Sequence, residues 1–381
     1  MSKSYHLIPA DSHINEPPDL WTSRVRGKFK ERAPRVERLE KGDAWIMEGS
    51  PTPINFGNNA NGGVPVEKRS PWVRWEEIRR GGYVPAVRLE EQAQDGVEAE
   101  VVYPTPRVSH NVLANNRDRE FHVDCIRAYN DWLSEFCSYD PARFVGIPML
   151  PAVSLETTLA ELDRSSGLPG LRGALLSQYP TAGVQLSPDD DPLFAACQER
   201  GIPLHYHVGL SGSPAGTPAL AHSFQNAFTG AFRFYDPPVR MAELIYHRVL
   251  DRFPRLEIVF AEVDCGWVGY LCEQLDDRFA RQNPRLRIPL AHAPSEYFRR
   301  HFFYGIVKDA YGIRNRHSVG VDRILWSSDY PHATCDWPDF ETAIERDFAG
   351  VPEAERRPIL GGTAARLYGL ASPGGTSDPA A

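Results

Sequence analysis

Ionisable residues gather at the ends of four short apolar runs of this 381-residue chain. In chain order they are Asp11, His13, His205, His207, Glu262 and Asp329. Residues i and i+2 of an extended strand point to the same side, so Asp11 and His13 share a face, as do His205 and His207. The spacing therefore predicts that two pairs of side chains can converge on one point.

Imidazole nitrogens and carboxylate oxygens are the usual protein ligands of zinc and related divalent ions. A single histidine at a strand end is more often a hydrogen-bonded core residue than a ligand. Four strand ends that all carry ligand-type residues would be a coincidence under that interpretation. We therefore predict a catalytic site for one divalent metal ion, with a coordination position left open for substrate or water.

The elements that must position these residues are eight short, β-rich apolar runs. They cover residues 5–13, 99–105, 143–150, 172–180, 202–209, 256–263, 302–306 and 323–331. Helical periodicity between them implies parallel strands, and eight is the strand count of a (β/α)8 TIM barrel, whose catalytic groups lie at the carboxyl ends of strands. A doubly wound open sheet is the alternative, but no G-x-G-x-x-G follows the first run.

Two segments fall outside this alternation. Residues 14–85 form a long insertion rich in proline and glycine. Because βα loops lie at the active face of a barrel, we predict that it caps the pocket within a single domain of residues 1–370. The small, polar tail 371–381 is predicted to be disordered. Together with the insertion, the loop 211–228 is predicted to select the substrate.

Composition narrows the classes of partner. A net charge of −8 and a pI near 5.9 argue against nucleic acid, which requires clustered basic residues. No apolar stretch approaches the ~18 to 20 residues of a membrane span, and the N-terminus lacks the apolar centre of a signal peptide. Six scattered cysteines, without a C-x-x-C pair, are expected to be free thiols. We predict a cytoplasmic protein with no membrane partner.

Several segments together resemble the amidohydrolase superfamily, in the branch of aminocarboxymuconate semialdehyde decarboxylase and the metal-dependent aromatic acid decarboxylases. They are ADSHINEPPDLW, DGVEAEVVYPT, YNDWLSEFC, IPLHYHVG, LEIVFAEVDCGWVGYL, SEYFRR, ILWSSDYPH and ILGGTAARLYGL, and the resemblance spans most of residues 5–370. Members of the branch bind one divalent metal ion through residues on the first, fifth and eighth strands. The resemblance implies Asp11, His13, His207 and Asp329 as ligands, and a homodimer.

The chain departs from the more typical family pattern at two strand ends. Asp11 stands where the first of two histidines is usual, and an added carboxylate hardens the site, so manganese joins zinc, our first choice, as a candidate. Glu262 stands where the sixth strand usually ends with a catalytic histidine. Glu262 is then a general acid or base, a further metal ligand, an orienting group, or a salt-bridged carboxylate at the barrel mouth.

Three further residues are candidates for supporting the site or contacting the substrate. His205 is an extra residue deeper in the barrel, with a core or supporting role favoured over direct participation. His332, three residues after Asp329, either touches the substrate or lies in a surface loop. Glu16 is expected to support the ligands of the first strand from behind.

The resemblance favours decarboxylation of a small aromatic or unsaturated carboxylic acid, with the substrate carboxylate on the metal ion. Asp329 or Glu262 then protonates the carbon. The alternative is hydrolysis of a C–N, ester or C–C bond, in which the metal ion activates water and Asp329 removes its proton. A third, non-enzymatic interpretation is a barrel that has lost its metal and binds a ligand or a partner protein.

Overall fold

The computed structural model describes residues 6–181, 183, 185–210 and 234–371. The loop 211–228 and all but the first residue of the tail 371–381 lie outside the described residues. The described strands are β1 Ser12–His13, β2 Arg35–Arg38, β3 Asp43–Ile46, β4 Ile54–Asn55, β5 Glu100–Tyr103, β6 Phe144–Gly146, β7 Ala174–Leu175, β8 Leu204–His207, β9 Ile258–Ala261, β10 Phe302–Ile306 and β11 Ile324–Trp326.

The α-helices alternate with most of these strands, and short 3-10 turns connect several elements. The described α-helices are α1 Leu20–Arg24, α2 Pro85–Gln94, α3 Pro106–Ala114, α4 Arg119–Cys137, α5 Leu155–Ser166, α6 Asp191–Arg200, α7 Pro237–Tyr246, α8 Val249–Arg252, α9 Val268–Leu286, α10 Pro294–His301, α11 Ala310–Arg314, α12 Arg316–Val319, α13 Phe340–Asp347, α14 Glu353–Arg357 and α15 Thr363–Tyr368.

Eight parallel strands form the barrel, which confirms the predicted (β/α)8 fold. Their ladders make a three-stranded sheet, β1-β5-β6, and a five-stranded sheet, β11-β10-β9-β8-β7. Backbone hydrogen bonds join the two sheets on both sides: Ala10 N donates to Trp326 O (2.9 Å), and Leu175 N donates to Pro148 O (2.9 Å). The carboxyl ends of all eight strands are thereby brought to one rim, where a TIM barrel carries its site.

Both faces of the barrel strands are buried, as strand β9 shows. Its alternate residues Val259 and Ala261 pack in one apolar cluster with Phe303 of the next strand. Ile258 and Phe260 pack in the other cluster, which includes residues of helices α7 and α10. Because neither face meets water, the strand is apolar along its whole length, which explains the continuous apolar runs of the sequence.

The insertion of residues 14–85 contains α1 and the antiparallel sheet β2-β3-β4. Trp21, in α1, donates its indole N–H to Cys125 O of α4 (3.0 Å). Gly62 N donates to Pro331 O (2.7 Å), in the segment that follows β11. The insertion is therefore tied both to the outer helices and to the loop that continues from Asp329.

The cysteines and the helices bear on the predictions of free thiols and of no membrane-spanning segment. All six cysteines are buried and free, as predicted. Burial raises the pKa of the Cys265 thiol well above its usual value, which argues against a nucleophile at that turn. None of the described helices is long and apolar enough to cross a membrane.

Candidate metal centre

The ends of β1, β8 and β9 bring together Asp11, His13, His207 and Glu262, all buried. One ligand atom of each lies within 4.8 Å of the others. Asp11 lies between the two histidines, with its Oδ1 3.4 Å from Nε2 of His13 and its Oδ2 3.5 Å from Nε2 of His207. Oε2 of Glu262 is 3.8 Å from Nε2 of His207. The sequence-predicted convergence of these strand ends is present in the structure.

Asp329 adjoins this cluster and forms a second group with His13 and His332. Oδ1 of Asp329 is 3.5 Å from Nε2 of His13 and 2.6 Å from Nδ1 of His332. The His332 ring stacks on the His13 ring, with centroids 3.9 Å apart, and the Thr334 hydroxyl donates to Oδ2 of Asp329. His332 is thus part of the site, and its interpretation as a surface-loop residue is wrong.

The geometry of the cluster fits a metal ion. Ligand atoms about 2.0 to 2.2 Å from a tetrahedral ion lie about 3.3 to 3.6 Å apart, which matches the three contacts of 3.4 to 3.5 Å. Several buried atoms also lack a hydrogen-bond partner among the described residues: both carboxylate oxygens of Asp11, Nε2 of His13 and Nε2 of His207. Since unpartnered buried polar atoms are costly, a shared cation is the simplest way to satisfy them.

Backbone carbonyls orient both histidines of the cluster. Nδ1 of His13 lies 3.0 Å from Pro104 O, and Nδ1 of His207 lies 2.6 Å from Val208 O. A carbonyl oxygen can only accept, so each Nδ1 carries the proton and donates. Each Nε2 is therefore the nitrogen that faces the cluster, where a metal ion can replace its proton, the arrangement typical of metal-ligating histidines.

The pKa shifts of the two histidines show how the buried charges of the cluster act on them. Burial lowers the pKa of His207, but the Asp11 and Glu262 carboxylates outweigh burial and raise that pKa to about 9. Burial, with His332 and His207 nearby, lowers the pKa of His13 well below its usual value. The carboxylates hence stabilise positive charge beside His207, and a divalent ion would supply that charge in competition with a proton.

His205 and Glu16 lie outside both ligand groups of the described residues. Nδ1 of His205 is 2.6 Å from the Tyr103 hydroxyl, and burial lowers the pKa of His205 to about 3. Oε1 of Glu16 accepts a hydrogen bond from Thr105 N (2.9 Å), next to the Pro104 carbonyl that orients His13. His205 is therefore buried beside Tyr103, and Glu16 lies beside the carbonyl that orients His13; the roles of both residues in turnover stay predictions.

Sequence reasoning missed Arg88, in helix α2, which holds the first strand in place. Its guanidinium is fully buried and pairs with Glu100 through two hydrogen bonds, from Nε (2.7 Å) and Nη2 (2.9 Å). Nη1 donates to His13 O (2.8 Å), and the group lies over the Tyr330 ring, 4.4 Å from its centroid. No local pattern marks Arg88, because its partners Gly81, Glu100, His13 and Tyr330 are 7 to 242 positions away.

We expect Arg88→Met to destabilise the fold by about 3 to 5 kcal/mol, since it leaves the Glu100 carboxylate buried without a counter-charge. Denaturant unfolding followed by circular dichroism measures the free energy of unfolding. The double variant Arg88→Met/Glu100→Met is the matched control and should recover much of the loss. A loss below about 1 kcal/mol in the single variant would remove this role from the ion pair.

A barrel of parallel strands, with buried histidines and carboxylates converging at its carboxyl rim, defines a metal-dependent TIM-barrel enzyme. The chain matches the amidohydrolase family over residues 10–370, and it belongs to that family. The resemblance drawn from the sequence segments is thereby confirmed.

Two curated relatives indicate the branch. γ-Resorcylate decarboxylase of Rhizobium radiobacter is 26% identical over 257 residues, which cover 64% of this chain and 78% of the relative. The 2-amino-3-carboxymuconate-6-semialdehyde decarboxylase of Dictyostelium discoideum is 22% identical over 309 residues, 78% of this chain and 79% of the relative. Both relatives are decarboxylases.

Two solved structures share the fold. An amidohydrolase of Mycobacterium avium subsp. paratuberculosis K-10 superposes with a TM-score of 0.73 at 20% identity, covering 97% of this chain and 99% of that one. A dihydroxybenzoic acid decarboxylase of Polaromonas sp. JS666, solved with manganese and 2-nitroresorcinol, gives 0.62 at 18% identity, covering 96% and 97%. These similarities support the barrel assignment across almost the whole chain.

Proposed function

We propose that this protein is a metal-dependent decarboxylase of a small aromatic or unsaturated carboxylic acid. The observation that carries the proposal is the buried set of histidines and carboxylates at the barrel rim, whose ligand atoms have the spacing of a metal site. The decarboxylases among its relatives support decarboxylation over the other reactions of such a site.

Asp11, His13, His207 and Asp329 are proposed to hold one divalent ion. When bound, this ion withdraws electron density from a substrate carboxylate and the oxygen beside it. Zinc is our first choice from the ligand types. Manganese is the alternative, which the carboxylate content and the manganese of the Polaromonas structure support.

The residues of the chain then have separate tasks. The bond from carbon to the carboxylate breaks, carbon dioxide leaves, and the electron pair left on carbon takes up a proton. Asp329 is proposed to deliver that proton, because Thr334 and His332 both contact its carboxylate and hold it in place. His332, 2.6 Å from Oδ1 of Asp329, is placed to return the proton for the next turnover.

Residues 14–85 are proposed to cap the pocket within one domain of residues 1–370, followed by the tail. The hydrogen bond from Gly62 N to Pro331 O supports the cap, because it ties the insertion to the segment that carries Asp329 and His332. A homodimer in the cytoplasm and a small carboxylate as substrate complete the proposal. Sedimentation of the purified protein would test the dimer.

The decisive experiment is an assay of carbon dioxide release by metal-replete protein against hydroxybenzoates and muconates. We expect release from at least one member of the panel, with no oxygen from solvent in the organic product. Incorporation of oxygen-18 from labelled water into that product would establish hydrolysis instead. Silence across the panel with metal bound would contradict the proposed reaction.

A further inference from the structure

We infer that Glu262 is itself a ligand of the metal ion, in addition to the residues on the first, fifth and eighth strands. The inference deepens the proposed function and rests on it for the presence of a metal ion. It resolves the open role of the carboxylate that stands where the family usually has a histidine.

The Glu262 carboxylate lies among the candidate ligand atoms at the carboxyl rim of the barrel. It groups with Asp11, His13 and His207, all four within 4.8 Å of one another. Two ligands on opposite sides of an ion lie at most about 4.4 Å apart, so this set needs only a slight contraction to surround one ion. Glu262 is 7% exposed, so its carboxylate is largely removed from water and gains from a cation beside it.

The backbone holds Glu262 at this position. Its φ of 61° lies in the left-handed region, which a residue with a side chain rarely adopts. Val263 N and Asp264 N both donate to Gly305 O (3.0 Å each), which fixes the chain directly after Glu262. A Cβ at Gly305 would lie 2.9 Å from Glu262 N, so β10 can approach this turn only because residue 305 is glycine.

Metal binding by Glu262 affects both the choice of proton donor and the choice of metal ion. Metal binding lowers the proton affinity of both the Glu262 and the Asp329 carboxylates, but Nδ1 of His332 lies 2.6 Å from Oδ1 of Asp329 and can supply a proton there. Delivery of the proton then falls to Asp329 with His332. Together with Asp11, Glu262 also raises the oxygen content of the ligand set, which favours a harder ion such as manganese.

The test compares Mn²⁺ binding by wild-type protein and by E262Q, measured by competition with a chelating dye and by electron paramagnetic resonance of the bound ion. We expect E262Q to weaken Mn²⁺ binding at least about tenfold and to alter the resonance spectrum. E262D keeps the charge with a shorter reach, so intermediate affinity is expected. E262D also provides the test should E262Q fail to fold.

Glu257→Gln is the matched control, since it makes the same change just before β9, at the opposite end of the barrel. It should bind Mn²⁺ like the wild type. Wild-type affinity and an unchanged spectrum in E262Q would overturn the inference while leaving the proposed function intact. Conversely, wild-type protein that binds Mn²⁺ through Glu262 but releases no carbon dioxide would reject the proposed function alone.

Discussion

Asp329→Asn is expected to lower kcat/KM by about a thousandfold while the protein stays folded. The amide keeps the size and the polar contacts of the carboxylate but cannot deliver a proton, and it is a poorer partner for a cation. The left-handed φ of 54° at this residue is tolerated by asparagine, so the backbone need not rearrange. Steady-state kinetics with the substrate found in the carbon dioxide assay measures the loss.

Asp322→Asn provides the control for Asp329→Asn. Asp322 lies just before β11, at the end of the strand away from the site, and its side chain is 73% exposed. The control should therefore turn over substrate at the wild-type rate. Wild-type turnover by Asp329→Asn, with circular dichroism unchanged, would remove Asp329 from the mechanism.

Removal of the metal ion is expected to abolish turnover and to lower Tm. The stripped site brings the Asp11, Glu262 and Asp329 carboxylates together without a divalent counter-charge. An ion present at a thousand times its Kd stabilises the folded state by about 4 kcal/mol, so its loss should be visible in a thermal scan. Calorimetry and activity are measured before and after chelation.

Readdition of Mn²⁺ or Zn²⁺ separates metal loss from damage to the protein. Recovery of both Tm and turnover is expected, and the ion that restores the higher turnover identifies the working metal. Protein shown by elemental analysis to be free of divalent ions, yet fully active, would contradict the metal-dependent mechanism.

The sequence alone was sufficient for features that depend on local spacing. The i, i+2 period of a strand placed Asp11 and His13 on one face, and both belong to the group of four residues whose ligand atoms lie within 4.8 Å of one another. Alternating strand and helix patterns predicted the barrel, because the parallel arrangement follows from the connections. Strand lengths were overestimated: residues 256–263 are apolar almost throughout, but β9 ends at Ala261, where the backbone turns left-handed at Glu262.

Only the tertiary structure decided which residues meet across the barrel. The position of His332 in the sequence allowed either a substrate contact or a surface loop, whereas in the structure its ring stacks on His13, 319 positions earlier in the chain. Arg88 carries no local signature, and its task appears only where α2 reaches the His13 carbonyl. The role of Glu262 likewise depends on its distance from His207. Periodicity records the direction of a side chain relative to its own strand, whereas a metal site depends on distances between strands, which the closure and packing of the barrel determine.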